Sequence, residues 1–200
     1  MVSHKEYSVF FLICPLFTLA ACSGHGQKST VRGALANAAE VLEGRDAVRF
    51  FATLDERTRF AMSSTVKARR EARAIIEADY PESEAAGALA ALGEAAEVST
   101  AAELFARRCD VACLNDFADR VGAPASQVVR GDEVEVTTVR GRTLRMHAGT
   151  DGGYGIVWST DATANERSHS ARELRRIKEN AEIFRRRAAL TGSRDAVRGD

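Results

Sequence analysis

The cysteines are the residues of this 200-residue chain whose spacing is most suggestive of chemistry. Cys109 and Cys113 lie in the segment CDVAC, and a separation of four positions places both thiols on one face of a helix. Helix geometry puts their Cα atoms about 6 Å apart, a separation that a disulfide can span. Two small apolar core residues are the alternative. A zinc site is not expected, because the pair supplies two ligands and no histidine follows at a suitable spacing.

The histidines are the next candidates, because imidazole is the commonest general acid or base near neutral pH. Beyond Cys22 they are His25, His147 and His169. His25 lies in a small polar segment, and His169 lies in a predicted polar loop. His147 is out of phase with the apolar residues of its strand, so we expect it to face away from them. No Ser-His-Asp or Cys-His arrangement can be placed, and the sequence therefore predicts no catalytic residue, no metal site and no cofactor.

The first 21 residues have the three parts of an export signal. A short polar start precedes the apolar run Val9–Leu19, and Leu19-Ala20-Ala21-Cys22 follows. These last four residues resemble the lipobox of bacterial lipoproteins. The resemblance implies that a peptidase removes residues 1–21 and that the Cys22 thiol carries a diacylglycerol, so that lipid anchors the protein to a membrane.

Three other interpretations of this segment compete with the lipobox. A membrane-spanning helix needs roughly 20 apolar residues, and this run is shorter and contains Pro15. An ordinary secretory cleavage and a buried core helix are the other two. If Cys22 is lipidated, the protein belongs to the bacterial cell envelope, and Ser23 in the following position favours the outer membrane.

The mature chain divides into three parts. Residues 22–30 are small and polar and are predicted to form a tether, residues 31–190 a single domain, and residues 191–200 a flexible tail. An exported protein lies where disulfides persist. The formal net charge of the whole chain is zero, so no global charge points to nucleic acid.

Apolar residues recur at helical spacing through most of the first two thirds of the chain. The first predicted helix runs from Val31 to a stop at Gly44, and the second follows a cap at Asp46. The third runs from about Ser63 to Tyr80, where Pro81 stops it, and a weak fourth covers 82–98. The fifth begins at a capping box formed by Thr100 and Glu103 and stops at Gly122. The basic residues of the third helix are expected on a solvated face: Lys67, Arg69, Arg70 and Arg73.

Between residues 128 and 158 the period changes to two, which is typical of strands. Val134 and Val136 begin the alternation, Leu144 and Met146 continue it, and a third strand ends at Trp158, so we expect an antiparallel meander. A last amphipathic helix is predicted over about 170–190, and its apolar stripe is Leu174, Ile177, Ala181, Phe184 and Ala188. The fold class predicted is therefore α+β: a helix-rich N-terminal half on a small antiparallel sheet, with a long C-terminal amphipathic helix.

The order of these elements resembles the nuclear-transport-factor-two-like superfamily of cone-shaped α+β domains, and in particular its small bacterial lipoproteins. Two stretches carry the resemblance: Ala38–Arg57, and the strand Asp151–Ile156, in which Tyr154 stands where tryptophan is usual. It implies a curved sheet wrapped by helices around a pocket. In that superfamily the pocket is catalytic, binds a ligand or is packed core, so the resemblance does not select a function.

We expect a non-catalytic envelope lipoprotein that binds a protein partner or a small ligand. An isomerase- or dehydratase-like enzyme on the same cone fold and a purely structural envelope protein are the alternatives. The candidate partner or lipid surface is the basic side of the last helix: Arg172, Arg175, Arg176, Arg185, Arg186 and Arg187. Such a helix more often packs its apolar stripe on its own domain and leaves its charges solvated.

Overall fold

The computed structural model describes residues 28–198 and shows the α+β fold that the sequence predicts. Its helices are α1 (Val31–Glu43), α2 (Ala47–Phe51), α3 (Glu56–Asp79), α4 (Glu82–Leu92), a 3-10 turn (Glu94–Ala96), α5 (Ala101–Arg108), α6 (Val111–Arg120) and α7 (Thr160–Arg198). Its strands are β1 (Pro124–Arg130), β2 (Glu133–Thr138), β3 (Thr143–Ala148) and β4 (Tyr154–Ile156). The predicted signal segment, Cys22 and His25 lie outside the described residues.

The first two helices begin and end where their caps predict. The Thr30 hydroxyl accepts a hydrogen bond from the Gly33 amide at 3.0 Å and starts α1, which ends at Gly44. The Asp46 carboxylate accepts one from the Arg49 amide at 3.0 Å and starts α2. A side-chain acceptor at this position satisfies one of the amides that a helix start leaves without a partner.

Helix α3 is longer than its sequence pattern predicts, because it begins at Glu56 rather than near residue 63. Asp55 caps it, and its first turn, residues 56–59, is polar, so the apolar period alone does not show where it starts. It ends before Pro81 as predicted, because Tyr80 adopts extended angles that suit a residue preceding proline.

The helix predicted behind the capping box is two helices in the structure. Thr100 accepts a hydrogen bond from the Glu103 amide at 3.1 Å and starts α5 as predicted. The chain then leaves helical angles at Cys109, and the Asp110 carboxylate caps α6 by accepting from the Cys113 amide at 2.9 Å. Val111 begins α6 on its outer side and is exposed.

The sheet is an antiparallel meander in the order β1-β2-β3-β4, one strand more than predicted. Val134 pairs with Met146 and Val136 with Leu144, and these four side chains are buried on the face that packs against the helices. The residues of β1 are almost all exposed, so its sequence lacks the alternation of apolar and polar residues that identifies a half-buried strand. A parallel bridge between Leu54 and Ile156 adds the segment before α3 to the β4 edge.

Helix α7 extends well beyond the predicted 170–190. It begins at Thr160, which makes the predicted loop around His169 helical, and it runs to Arg198 through most of the predicted tail. Helices α7 and α3 run side by side in the same direction. Ion pairs show this: Arg69 of α3 pairs with Glu173 of α7, and further along both helices Asp79 pairs with Arg185. Ile177 packs with residues of α3 and α4 in a second core cluster, apart from the main core around Phe50 and Phe105.

Candidate functional site

A close backbone approach at β4 builds the most distinctive polar site of the described residues. The Asp55 amide donates to the Ile156 carbonyl at 2.9 Å, and the Ile156 amide donates to the Thr53 carbonyl at 3.0 Å. Between these bonds, a Cβ on Gly155 would lie 2.5 Å from the Asp55 Cα atom. Only glycine allows this approach, which explains the glycine at position 155 of β4.

The same glycine lets His147 reach Asp55. His147 and Gly155 are cross-strand partners and so share a face of the sheet, which is the face opposite Met146. The imidazole reaches across β4 and places Nδ1 3.3 Å from Oδ1 of Asp55. His147 faces away from Met146 as predicted, but that side is covered by the start of α3. Its exposed fraction is therefore 8%, and that of Asp55 is 1%.

Asp55 has a structural role besides contacting the imidazole. Its Oδ1 accepts from the amides of Arg57 at 3.0 Å and Thr58 at 3.1 Å, and its Oδ2 accepts from the Thr58 hydroxyl. The carboxylate thus caps α3 and is held by several donors. An imidazole oriented by a fixed carboxylate is the arrangement of a general acid or base.

Two adjoining depressions open beside this pair, and His147, Glu56 and Gly149 line both. The larger has a volume of about 290 Å³ and also includes Phe60, and the smaller, of about 80 Å³, includes Lys28. The charged groups of the larger depression are already paired. Arg57 forms an ion pair with Asp132, and Glu56 accepts from the Thr150 amide at 3.1 Å and hydroxyl at 3.0 Å.

The chemistry available here is proton transfer rather than nucleophilic attack. Among the described residues that line the two depressions, the hydroxyl groups belong to Thr150 and Tyr154. The Thr150 hydroxyl donates to Glu56, which leaves it poorly placed as a nucleophile for His147 to activate. Over residues 28–198, no cluster of three or more His, Cys, Asp or Glu side chains could hold a metal ion.

The structure joins Cys109 and Cys113 by a disulfide, with Cα atoms 5.1 Å apart. The sequence predicted one continuous helix through both cysteines, and this is wrong, because the helix is interrupted between them. Cys109 follows the end of α5, and Cys113 lies in the first turn of α6. The bond therefore fixes the angle between two short helices.

A network of ion pairs fixes α7 to the helices beneath it. Arg69 was predicted to be solvated, and this is wrong: it is buried and pairs with Glu173 of α7. Arg108 donates to both carboxylate oxygens of Glu166, at 2.7 and 2.8 Å. The hydrogen bond from Arg108 lowers the pKa of Glu166 in spite of partial burial, and the hydrogen bond to Glu166 raises the pKa of Arg108.

The six arginines predicted as a partner or lipid surface all lie on the exposed side of α7. Arg185 approaches Asp79 at 3.7 Å and Arg186 approaches Glu182 at 3.6 Å. Arg172, Arg175 and Arg176 are also exposed. The opposite side carries the stripe, in which Ile177 and Ala181 are buried while Ala188 is exposed. Most of the stripe is therefore core, and the arginines face solvent.

None of the helices in the described part of the chain combines the length and apolar character needed to cross a bilayer. No family model, no curated protein and no solved structure matches this chain.

Proposed function

We propose that this protein is a lipid-anchored, non-catalytic lipoprotein of the bacterial envelope whose domain binds a protein partner or a small ligand. The fate of its cysteines carries the proposal. Cys14 leaves with residues 1–21, Cys22 follows Leu-Ala-Ala, and the remaining two form a disulfide between helix ends. Disulfides persist in oxidising compartments, which suits an exported chain. In the mature chain, the three remaining cysteines are then accounted for by one lipid site and one disulfide.

The distribution of charge supports a protein partner at α7. From residue 170 to 190 there are seven Lys or Arg residues and three Glu residues, a surplus of four positive charges in a chain whose formal net charge is zero. The rest of the chain is correspondingly negative, so α7 is a basic surface on an acidic body. Complementary charge steers association with an acidic partner and helps to select it.

The position of α7 favours a protein partner, rather than the membrane that holds the anchor, as the ligand of its basic surface. Helix α3 begins at Glu56, which lines the same depression as Lys28, where the tether joins the domain. Helix α7 begins beside the first turn of α3, where the Thr58 hydroxyl donates to the Trp158 carbonyl at 3.2 Å, and the two helices run in the same direction. The 24 residues of α3 extend about 36 Å. Arg185, beside the last residue of α3, therefore lies that far along the domain from the tether.

A proton-transfer enzyme of the isomerase or dehydratase type is the second candidate, and the Asp55–His147 pair is the observation that favours it. The pair lies beside a depression, as a general base must. The resemblance to the cone-shaped superfamily is consistent with both candidates. We place the binding protein first because Asp55 is already used as the cap of α3.

Two experiments in cells test the proposal. Labelled palmitate should enter the wild-type protein and should not enter Cys22→Ser, which should accumulate as precursor. A photo-crosslinking residue in place of Arg176 should capture a reproducible envelope protein. The same residue in place of Val139, which is exposed on the hairpin between β2 and β3, should not. Normal processing of Cys22→Ser, or identical capture from both positions, would refute the corresponding half of the proposal.

A further inference from the structure

The described chain begins at a fixed point on the domain surface. The Lys28 carbonyl accepts a hydrogen bond from the Tyr154 amide at 2.9 Å, which attaches the start of the chain to the edge of β4. Five residues, 23–27, separate Lys28 from Cys22. A fully extended chain of that length reaches about 20 Å. If Cys22 carries lipid, as proposed above, Lys28 is held within that distance of the bilayer.

An exposed aromatic side chain lies at the same end of the domain. Phe60, in the second turn of α3, has an exposed fraction of 58% and lines the larger depression. That depression adjoins the one that Lys28 lines. The Arg167 guanidinium lies over the Phe60 ring, 5.3 Å from its centroid. An aromatic ring with an arginine above it is amphipathic, and such groups suit the boundary between lipid headgroups and acyl chains.

The charges around Phe60 come close to cancelling. Basic groups of this end are Lys28, Arg57, Arg59 and Arg167, and acidic groups are Glu56, Asp132, Asp151 and Asp161. Three of the acids are engaged within the protein: Glu56 by Thr150, Asp132 by Arg57, and Asp151 by the Gly153 amide. This end is thus neither repelled by an anionic surface nor strongly attracted to it, and apolar contact becomes the deciding contribution.

We propose that the tether end of the domain, formed by Lys28, Phe60 and Arg167, rests on the phospholipid surface, with the Phe60 ring in the headgroup–acyl boundary. The inference depends on the lipidation of Cys22 proposed above. One phenyl ring binds a bilayer weakly, but a tether of about 20 Å keeps the ring at millimolar effective concentration. The contact therefore orients the domain rather than anchoring it. In this orientation α3 points away from the membrane, and so does the part of α7 that carries Arg185.

The test uses residues 22–200, coupled through Cys22 to a maleimide lipid. The vesicles contain phosphatidylethanolamine and phosphatidylglycerol with brominated acyl chains, which quench indole fluorescence on contact. Trp158 is the single tryptophan, so Trp158→Phe provides a silent background. Phe60→Trp reports on the proposed contact. Val139→Trp is the matched control, because Val139 is 67% exposed on the β2–β3 hairpin, away from the tether.

Brominated lipid should lower the fluorescence of Phe60→Trp about twofold and leave that of Val139→Trp nearly unchanged. Equal quenching of the two variants, or quenching of neither, would overturn the inference. If Trp158→Phe disturbs the fold, the same two variants are compared with Trp158 retained as a common background. Because lipid is attached chemically, this result is independent of lipidation in cells, and the palmitate experiment tests that separately.

Discussion

The Nδ1 atom of His147 lies 3.3 Å from Oδ1 of Asp55, although 92 positions separate the two residues in the chain. The contact crosses β4 at Gly155, the one position of that strand where a side chain would collide with the Asp55 backbone. Three distant segments therefore meet at one point: the cap of α3, the middle of the sheet and the edge strand. The proposed alternative function, proton transfer, would take place here, and the same contacts hold the start of α3 to the sheet.

Gly155→Ala should be strongly destabilising. The added methyl would lie 2.5 to 2.7 Å from backbone atoms of Leu54 and Asp55, which cannot rotate away. We expect the free energy of unfolding to fall by about 2 kcal/mol or more, as for other overpacked sites. Urea unfolding measures it. Gly87→Ala in α4 is the control, because nothing lies within 4 Å of its added methyl. It should be neutral or stabilising by about 0.5–1 kcal/mol, and similar losses in both variants would contradict the proposed collision.

The local parts of this junction could be predicted from sequence, and the contact itself could not. The caps at Thr30, Asp46 and Thr100 have short-range signatures, and they define helix starts correctly. Asp55 is a cap of the same type, with Thr58 three residues later, and that signal could have placed the start of α3. Its partner His147 comes from another strand, and no local pattern specifies which side chain covers a sheet face.

Two other sequence predictions were wrong for different reasons. Arg69 lies on a helix face rich in charge, so its sequence surroundings indicated solvent. Its burial depends on Glu173, more than 100 residues away. The break at Cys109 is different, because Asp110 caps α6 locally. Apolar residues recur at helical spacing through Cys109 and Asp110, so the pattern did not show that α5 ends and α6 begins there.

The Cys109–Cys113 disulfide predicts the thiol content of the protein. A chain beginning at Ser23 contains these two cysteines and no others. Purified without reductant from an oxidising compartment, it should give no reaction with a thiol reagent after denaturation. Reduction should lower the free energy of unfolding by about 2 kcal/mol, the loop-entropy value for so short a loop. Two reactive thiols in the unreduced protein would contradict the bridge.

The Arg108–Glu166 pair predicts a stability contribution that acid removes. The Arg108 hydrogen bond lowers the pKa of Glu166 below its ordinary value of 4.5. Its contribution is therefore complete above pH 4.5 and is lost as the pH falls through the lower pKa of the folded state. Glu166→Gln should destabilise the protein at pH 7, and the difference from wild type should shrink in acid. Glu97→Gln is the control, since its pair with Arg107 is exposed and contributes little.

The packing of α7 is tested by one residue type at two positions of the same helix. Ile177 is buried in the second core cluster, whereas Ile183 is 47% exposed. Ile177→Asp places an unpaired carboxylate against Ile76 and Leu92, and we expect a loss of about 3 kcal/mol or more. Ile183→Asp should change the free energy of unfolding by only about 0.5 kcal/mol, as exposed substitutions do.

Thermal and urea unfolding of both variants decide whether α7 belongs to the domain. If Ile177→Asp unfolds as wild type does, α7 is not packed on α3 and its apolar stripe is available to a partner. If only Ile177→Asp is strongly destabilising, the apolar stripe is core, and the exposed arginine side of α7 is the surface available to a partner. Arg185→Gln should then weaken capture of the proposed envelope partner without the large stability loss of Ile177→Asp, because Arg185 is exposed and its approach to Asp79 is long.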